Sequence, residues 1–263
     1  MSGCFVDAMR VLPIGTSRLH EPMSLLAPGE VAFLGCGYVH TSGQVLDMLR
    51  LLTRQMELTP NLARWFFRRD QTPPNPFSPD LWQEQAALNA AVGRMRAQWD
   101  SSTGCFIEIC TPRSYRMNGL HVQGNPNIDR NVGYAEIWKQ GYYTTYEPDL
   151  GVTMFDESLE QIGANIGRIC DILAETGRSA VMLGHLVDPA DPHPSRAKNN
   201  AVLKAAIDAH AHGSVAYFDC STFVEEHGFR VLDNGTIDIH HLPWSALDSL
   251  SEALMEAMRA LAV

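Results

Sequence analysis

The chain has 263 residues, 45% hydrophobic and 19% charged, which suits one large globular domain or two small ones, can bury a substantial core and excludes wholesale disorder. Twenty basic against 30 acidic side chains leave a net charge of −10, and so acidic a surface repels phosphate backbones, which speaks against a nucleic-acid partner. No run reaches the roughly 20 apolar residues of a membrane-spanning helix. The opening MSGCFVDAMR has no basic segment and is broken by Asp7 and Arg10, so neither a membrane span nor a secretory signal is expected. The six cysteines lack CxxC spacing and read as buried free thiols in a reducing cytoplasm rather than disulfides or zinc ligands.

Residues 10–16 (RVLPIGT) predict a short buried strand running into Ser17, and 30–34 (EVAFL) a second strand closed by Gly35-Cys36-Gly37. Val45, Met48, Leu49, Leu52 and Met56 then recur at helical spacing, with Ser42 as the expected N-cap. The four prolines of 71–80 mark a loop, and a helix is expected from Asp80 to about Gln98. CFIEIC at 105–110 is the third strand. The stretch from 113 to about 154 is rich in Gly, Asn and Tyr and has no clear period, as expected of a lid or inserted subdomain. A helix capped by Asp156 and stopped by Gly177 follows, then a strand over 179–187, a helix over 195–211 and a strand over 215–220. The last helix starts near Trp244. This alternation predicts one α/β domain over 1–263: a doubly wound, parallel, five-stranded sheet with helices on both faces and an insertion at about 113–154. Ligands bind such sheets at the carboxyl ends of the strands, so chemistry is sought in the loops that follow them.

Two of those loops hold groups that work together. The first strand ends in Gly15-Thr16-Ser17-Arg18-Leu19-His20, where a serine at a strand-to-helix turn presents its hydroxyl above the sheet. Taken alone, that serine reads more simply as a helix cap. Asp238-Ile239-His240-His241 stands ahead of the last helix, and a carboxylate three residues from an imidazole can fix its tautomer. Its plainer reading is a turn aspartate beside two solvated histidines.

Together the two blocks resemble the SGNH (GDSL-like) hydrolase superfamily. Its first block, GDS, stands here as Gly15-Thr16-Ser17, its last, DxxH, as Asp238 to His241, and HLPWSALDSLSEAL looks like its final helix. The resemblance implies a flavodoxin-like fold, Ser17 as nucleophile, His241 as general base and Asp238 as its orienting partner. It also implies an oxyanion donor after the second strand, where Gly37 is nearest and a stricter alignment selects His40. The GxN block expected after the third strand is replaced by Cys110-Thr111-Pro112-Arg113-Ser114. Thr111 or Arg113 would then substitute, or Asn118 or Asn125 would fold back. Arg18 and His20 beside Ser17, Arg113, Asn118, and His185 at the end of the fourth strand are the candidate substrate ligands.

His185, Asp188, Asp191 and His193 have metal-ligand side chains, but their prolines and irregular spacing fit a solvated turn, so no metal is expected. GCG at 35–37 lacks the rest of a dinucleotide fingerprint, and no cofactor is expected. Tyr134, Trp138, Tyr142, Tyr143 and Tyr146 read as packing of the inserted lid, with sugar stacking as the alternative. The function these readings imply is a serine-dependent ester hydrolase or O-acyltransferase acting on acetyl esters of a saccharide. It resembles members encoded among bacterial exopolysaccharide genes, cellulose-synthesis clusters included. A lysophospholipase-like or thioesterase activity is the second enzymatic reading. The non-catalytic alternative, supported by the missing GxN block, is an SGNH scaffold that binds carbohydrate or assembles a polysaccharide-synthesis complex. A homo-oligomer is the other partner class left open.

Overall fold

The computed structural model describes residues 9–35, 38–67, 84–122, 152–210 and 213–261. Four short strands rich in Val, Ile, Leu and Phe form the central sheet: β1 (Val11–Ile14), β2 (Gly104–Glu108), β6 (Ser179–Leu183) and β7 (Val215–Phe218). They lie in the order β1-β2-β6-β7 and every pairing is parallel, with Leu12 opposite Cys105, Phe106 opposite Val181 and Met182 opposite Tyr217. Apolar residues at successive positions are what a sheet covered on both faces requires.

The two faces separate by parity. Leu12, Ile14, Cys105, Ile107, Ala180 and Met182 join one buried cluster. It is completed by helices α2 (Ser42–Leu52), α4 (Gln85–Asp100), α5 (Leu159–Glu175) and α6 (Pro194–His210). Val11, Phe106, Val181 and Leu183 point the other way, onto α1 (Ser17–Met23) and α8 (Leu247–Leu261). On α8 the buried stripe is Leu247, Leu250, Leu254 and Met258. Short helix α3 (Pro60–Phe66) adds Ala63 and Phe66 to the first cluster, and α7 (Ser221–His227) adds Val224 to the second. Among the described residues no helix is long and apolar enough to cross a membrane.

The expected second strand, 30–34, lies beside β1 but forms no ladder there. A single bridge joins Val11 to Val31, supported by hydrogen bonds from Val11 N–H to the Glu30 carbonyl and from Ala32 N–H to the Val11 carbonyl, each 2.8 Å. The chain therefore leaves β1 toward one side while β2 lies on the other.

Helix boundaries move where side chains satisfy the first-turn N–H groups. Thr41, not Ser42, caps α2, in a reciprocal capping box with Gln44, and Ser158, not Asp156, caps α5 in another with Gln161. Asp156 ends a strand instead. The base of the insertion is an antiparallel sheet of β3 (Arg113–Met117), β4 (Leu120–Val122) and β5 (Val152–Asp156), in the order β4-β3-β5. Buried polar contacts seat it on α2: Asp47 accepts from the His121 ring at 2.8 Å, Gln44 Nε2 donates to the Val122 carbonyl at 2.6 Å, and Ser42 donates to Glu157. Residues 123–151, which hold the aromatic group of the expected lid and Asn125, lie outside the described residues. Cys105, Cys110, Cys170 and Cys220 are buried free thiols, and burial pushes Cys105 and Cys110 up to about 12; Cys4 and Cys36 lie outside the described residues.

Candidate active site

Three strand ends and one hairpin meet at the carboxyl edge of the sheet. Gly15 and Thr16 link β1 to α1, whose first residue is Ser17. Glu108 ends β2 and is 2% exposed, a carboxylate set among apolar side chains. It accepts hydrogen bonds from Thr16 N–H at 2.8 Å and Thr16 Oγ1–H at 2.6 Å, so the turn that presents Ser17 is anchored on the neighbouring strand. A Cβ on residue 15 would stand 2.7 Å from Glu108 Cβ, which only glycine avoids. Arg18 turns inward and its Nε lies 2.6 Å from Glu108 Oε1, close but not aligned as a directed hydrogen bond, while its Nη1 is buried without a partner. Burial is the largest single influence and disfavours the Arg18 charge, but Glu108, Cys110 and Cys220 together outweigh it and the net shift is upward.

The other half of the site comes from the far end of the chain. Strands β8 (Arg230–Val231) and β9 (Ile237–Asp238) form a small antiparallel hairpin. A turn follows in which the Asp238 carboxylate accepts from His240 N–H at 3.0 Å and its carbonyl accepts from His241 N–H at 3.2 Å. That turn brings His241 Nδ1 to 2.7 Å from Asp238 Oδ2, and His241 Nε2 stands 2.7 Å from Ser17 Oγ. Asp238 is acceptor-only, so Nδ1 carries the proton and Nε2 is left to accept from the serine hydroxyl. Burial alone would raise the Asp238 carboxyl, but the His240 N–H and the His241 ring hold it below the ordinary carboxylate range. Ser17, His241 and Asp238 thus form one continuous chain of hydrogen bonds, the arrangement that activates a serine hydroxyl.

The remaining candidates are distributed less evenly. His20 packs between Phe33 and Tyr38, with ring centroids 5.6 and 5.4 Å away, and burial lowers it to about 4. The ring meeting Ser17 is His241. His185 follows Gly184 at the end of β6, where Asn200 clamps it: Asn200 Oδ1 accepts from His185 N–H at 2.8 Å and Nδ2 donates to its carbonyl at 2.9 Å. Burial, then the charges of Arg18 and Arg196, lower His185 to about 3, so it is neutral at physiological pH. Its Nδ1 is buried without a partner.

The expected oxyanion donors fare differently. Gly37 lies outside the described residues. His40 N–H already donates to Gln44 Oε1 at 2.9 Å, as part of the α2 cap, so it is not the free donor the alignment implies. Thr111 Oγ1 accepts from Arg113 N–H at 3.1 Å. Arg113 is exposed and pairs across the β3–β5 ladder with Asp156, at 3.3 Å. Asn118 is exposed. It forms the β3–β4 turn with Gly119, at φ of 51° and 81°, the conformation that Asn-Gly supplies in two-residue hairpins.

Four contributors went unread in the sequence: Glu108, Asn200, Arg196 and Arg230. Arg196, on α6, donates to the Ile239 carbonyl at 2.8 Å and lies 3.2 Å from His240 Nδ1. Only Glu108 left a trace, as the lone charge inside CFIEIC. Beside Arg18 and His241 lies a pocket of about 380 Å³, open mouth included, with Leu183, Leu186, Leu242 and Leu247 as its apolar wall.

Residues 9–132 are similar to the family described as the TviD N-terminal domain. That stretch includes Ser17 and Glu108 and ends well before Asp238 and His241. No curated protein matches the chain.

Proposed function

We propose that the protein is a serine-dependent ester hydrolase or O-acyltransferase of SGNH type, working on acyl esters of a saccharide in polysaccharide biosynthesis. The observation that carries this reading is the hydrogen-bonded chain Ser17–His241–Asp238, 2.7 Å at each link, at the carboxyl edge of a parallel sheet. The similarity to the TviD N-terminal domain supports the polysaccharide setting. The edge position of 30–34 beside β1 is consistent with the five-stranded, doubly wound order of that superfamily.

In this mechanism Ser17 Oγ attacks the ester carbonyl while His241 Nε2 takes its proton. Asp238 holds Nδ1–H and stabilises the imidazolium. The proton passes to the departing sugar oxygen, leaving an acyl-serine. Water, or a second sugar hydroxyl, then attacks the acyl-serine as His241 removes its proton, and Ser17 regains a proton as the acyl group leaves. The Ser17 N–H, at the first position of α1 where helix geometry leaves donors without intrahelical partners, would serve as an oxyanion donor.

One observation favours the non-catalytic scaffold instead: the His40 N–H is engaged by Gln44. A fluorophosphonate probe separates the two readings. An active site takes the label on Ser17, loses it in Ser17→Ala, and releases acetate from an acetylated sugar. Absence of Ser17 labelling in the folded protein overturns the catalytic reading.

A further inference from the structure

We propose that the Arg230–Glu21 ion pair is the strut that sets the Ser17–His241 distance, so that both are positioning residues for the nucleophile and its base; the inference rests on the reading of Ser17 as nucleophile. Ser17 and His241 are 224 residues apart in sequence, and Arg230 joins the segments that carry them. Its backbone N–H donates to the His241 carbonyl at 2.8 Å and its Nε donates to the Leu242 carbonyl at 3.0 Å, so this arginine holds the segment that bears the base by two bonds. The guanidinium then reaches α1, with Nη2 at 2.5 Å from Glu21 Oε2 and Nη1 at 3.4 Å from Glu21 Oε1. Trp244 lies under the same guanidinium, 4.0 Å from ring centroid to Cζ, and fixes its plane.

The placement of Glu21 gives the contact its consequence. Ser17 and Glu21 are four residues apart on α1 and lie on the same helix face. A pull on Glu21 toward the 241–244 segment therefore draws the serine face toward His241. The pair is 11% and 23% exposed, so water screens it less than an ordinary surface pair. Only an arginine can bind a carboxylate with its end nitrogens while its Nε serves a carbonyl; lysine keeps the charge and loses the fork.

The test measures fluorophosphonate labelling of Ser17 as a function of probe concentration in wild type, Glu21→Gln, Arg230→Gln and Arg230→Lys, with melting temperatures to establish folding. A positioning role lowers the limiting rate by about tenfold to a hundredfold at an unchanged half-saturating concentration, since misplacement by ~1 Å has effects of that order. Arg230→Lys falls between wild type and Arg230→Gln. Folded variants that label at the wild-type limiting rate overturn the strut and leave the Ser17 reading intact. Should Arg230→Gln fail to fold, Glu21→Gln decides, because it keeps the Leu242 and Trp244 contacts of Arg230. Should wild type not label, the functional reading falls, and a crystal structure of Glu21→Gln tests the strut alone: Ser17 Oγ and His241 Nε2 beyond hydrogen-bond range support it, and an unchanged separation overturns it.

Discussion

Replacing Glu108 by alanine removes the acceptor of two Thr16 hydrogen bonds, at 2.8 and 2.6 Å, and the counter-charge of a buried guanidinium. Hydrogen bonds to a charged group contribute about 1.5–3 kcal/mol each, so the Thr16 pair alone accounts for about 3–6 kcal/mol. Removing one partner of a buried ion pair costs about 3–5 kcal/mol, chiefly because the other charge stays buried. These figures describe one desolvated carboxylate and overlap, so the expected loss for Glu108→Ala is about 3–5 kcal/mol. At about 2–4 °C per kcal/mol for a chain of this size, that is a fall in Tm of roughly 6–20 °C. Glu108→Gln should lose less, since its amide oxygen still accepts from Thr16 while its NH₂ faces Arg18. A double variant, Arg18→Met with Glu108→Met, should recover part of the loss because no orphaned charge remains. Urea denaturation followed by circular dichroism, with calorimetry for Tm, measures all three. A Glu108→Ala protein within about 0.5 kcal/mol of wild type, the range of an ordinary surface change, would refute the claim that this carboxylate anchors the turn that presents Ser17.

Asp238→Asn should fold normally yet lose turnover by about 10⁴, as the equivalent change does in a serine protease, because the amide favours the wrong imidazole tautomer; steady-state hydrolysis of p-nitrophenyl acetate measures it. Acid should weaken the fold through His20 and His185. Both are kept neutral by burial, to about 4 and about 3, while an unfolded histidine takes its proton near 6.5, so the unfolded chain binds more protons and stability falls as pH drops from 6.5 to about 4 and about 3 respectively. His20→Phe, which retains the ring contacts with Phe33 and Tyr38, should flatten the upper part of that slope in denaturation curves taken across pH 4–6.5. Gly184→Ala places a Cβ 2.1 Å from Asn200 Oδ1, so it should release the clamp on His185 and destabilise, whereas Gly184→Ala with Asn200→Ala should regain stability by relieving that clash. A double-mutant cycle in urea reads the coupling.

What local sequence determines here is the set of elements whose signal is periodic or stereochemical. The apolar runs at 11–14, 104–108, 179–183 and 215–218 are strands because a covered parallel sheet takes hydrophobic residues on both faces. The stripe of Leu247, Leu250, Leu254 and Met258 marks its helix by spacing alone. The pair Asp238 and His241 is legible because a three-residue turn carries both groups, and Ser17 because a serine ends the run of the first strand. Local sequence misleads where a competing contact is made by a distant residue. Asn118 reads as a ligand but serves a hairpin turn with Gly119, and His40 reads as a donor but its N–H is taken by Gln44. EVAFL has strand composition, yet at the described edge of the sheet it finds only one neighbour and forms a bridge rather than a ladder. The rest is decided only by tertiary structure: that Glu108 lies beneath Thr16, that Arg230 reaches Glu21, that Asn200 closes on Gly184. Each joins residues on different elements, and such contacts leave no spacing in the chain because their distance is set by how the sheet stacks its strands and helices.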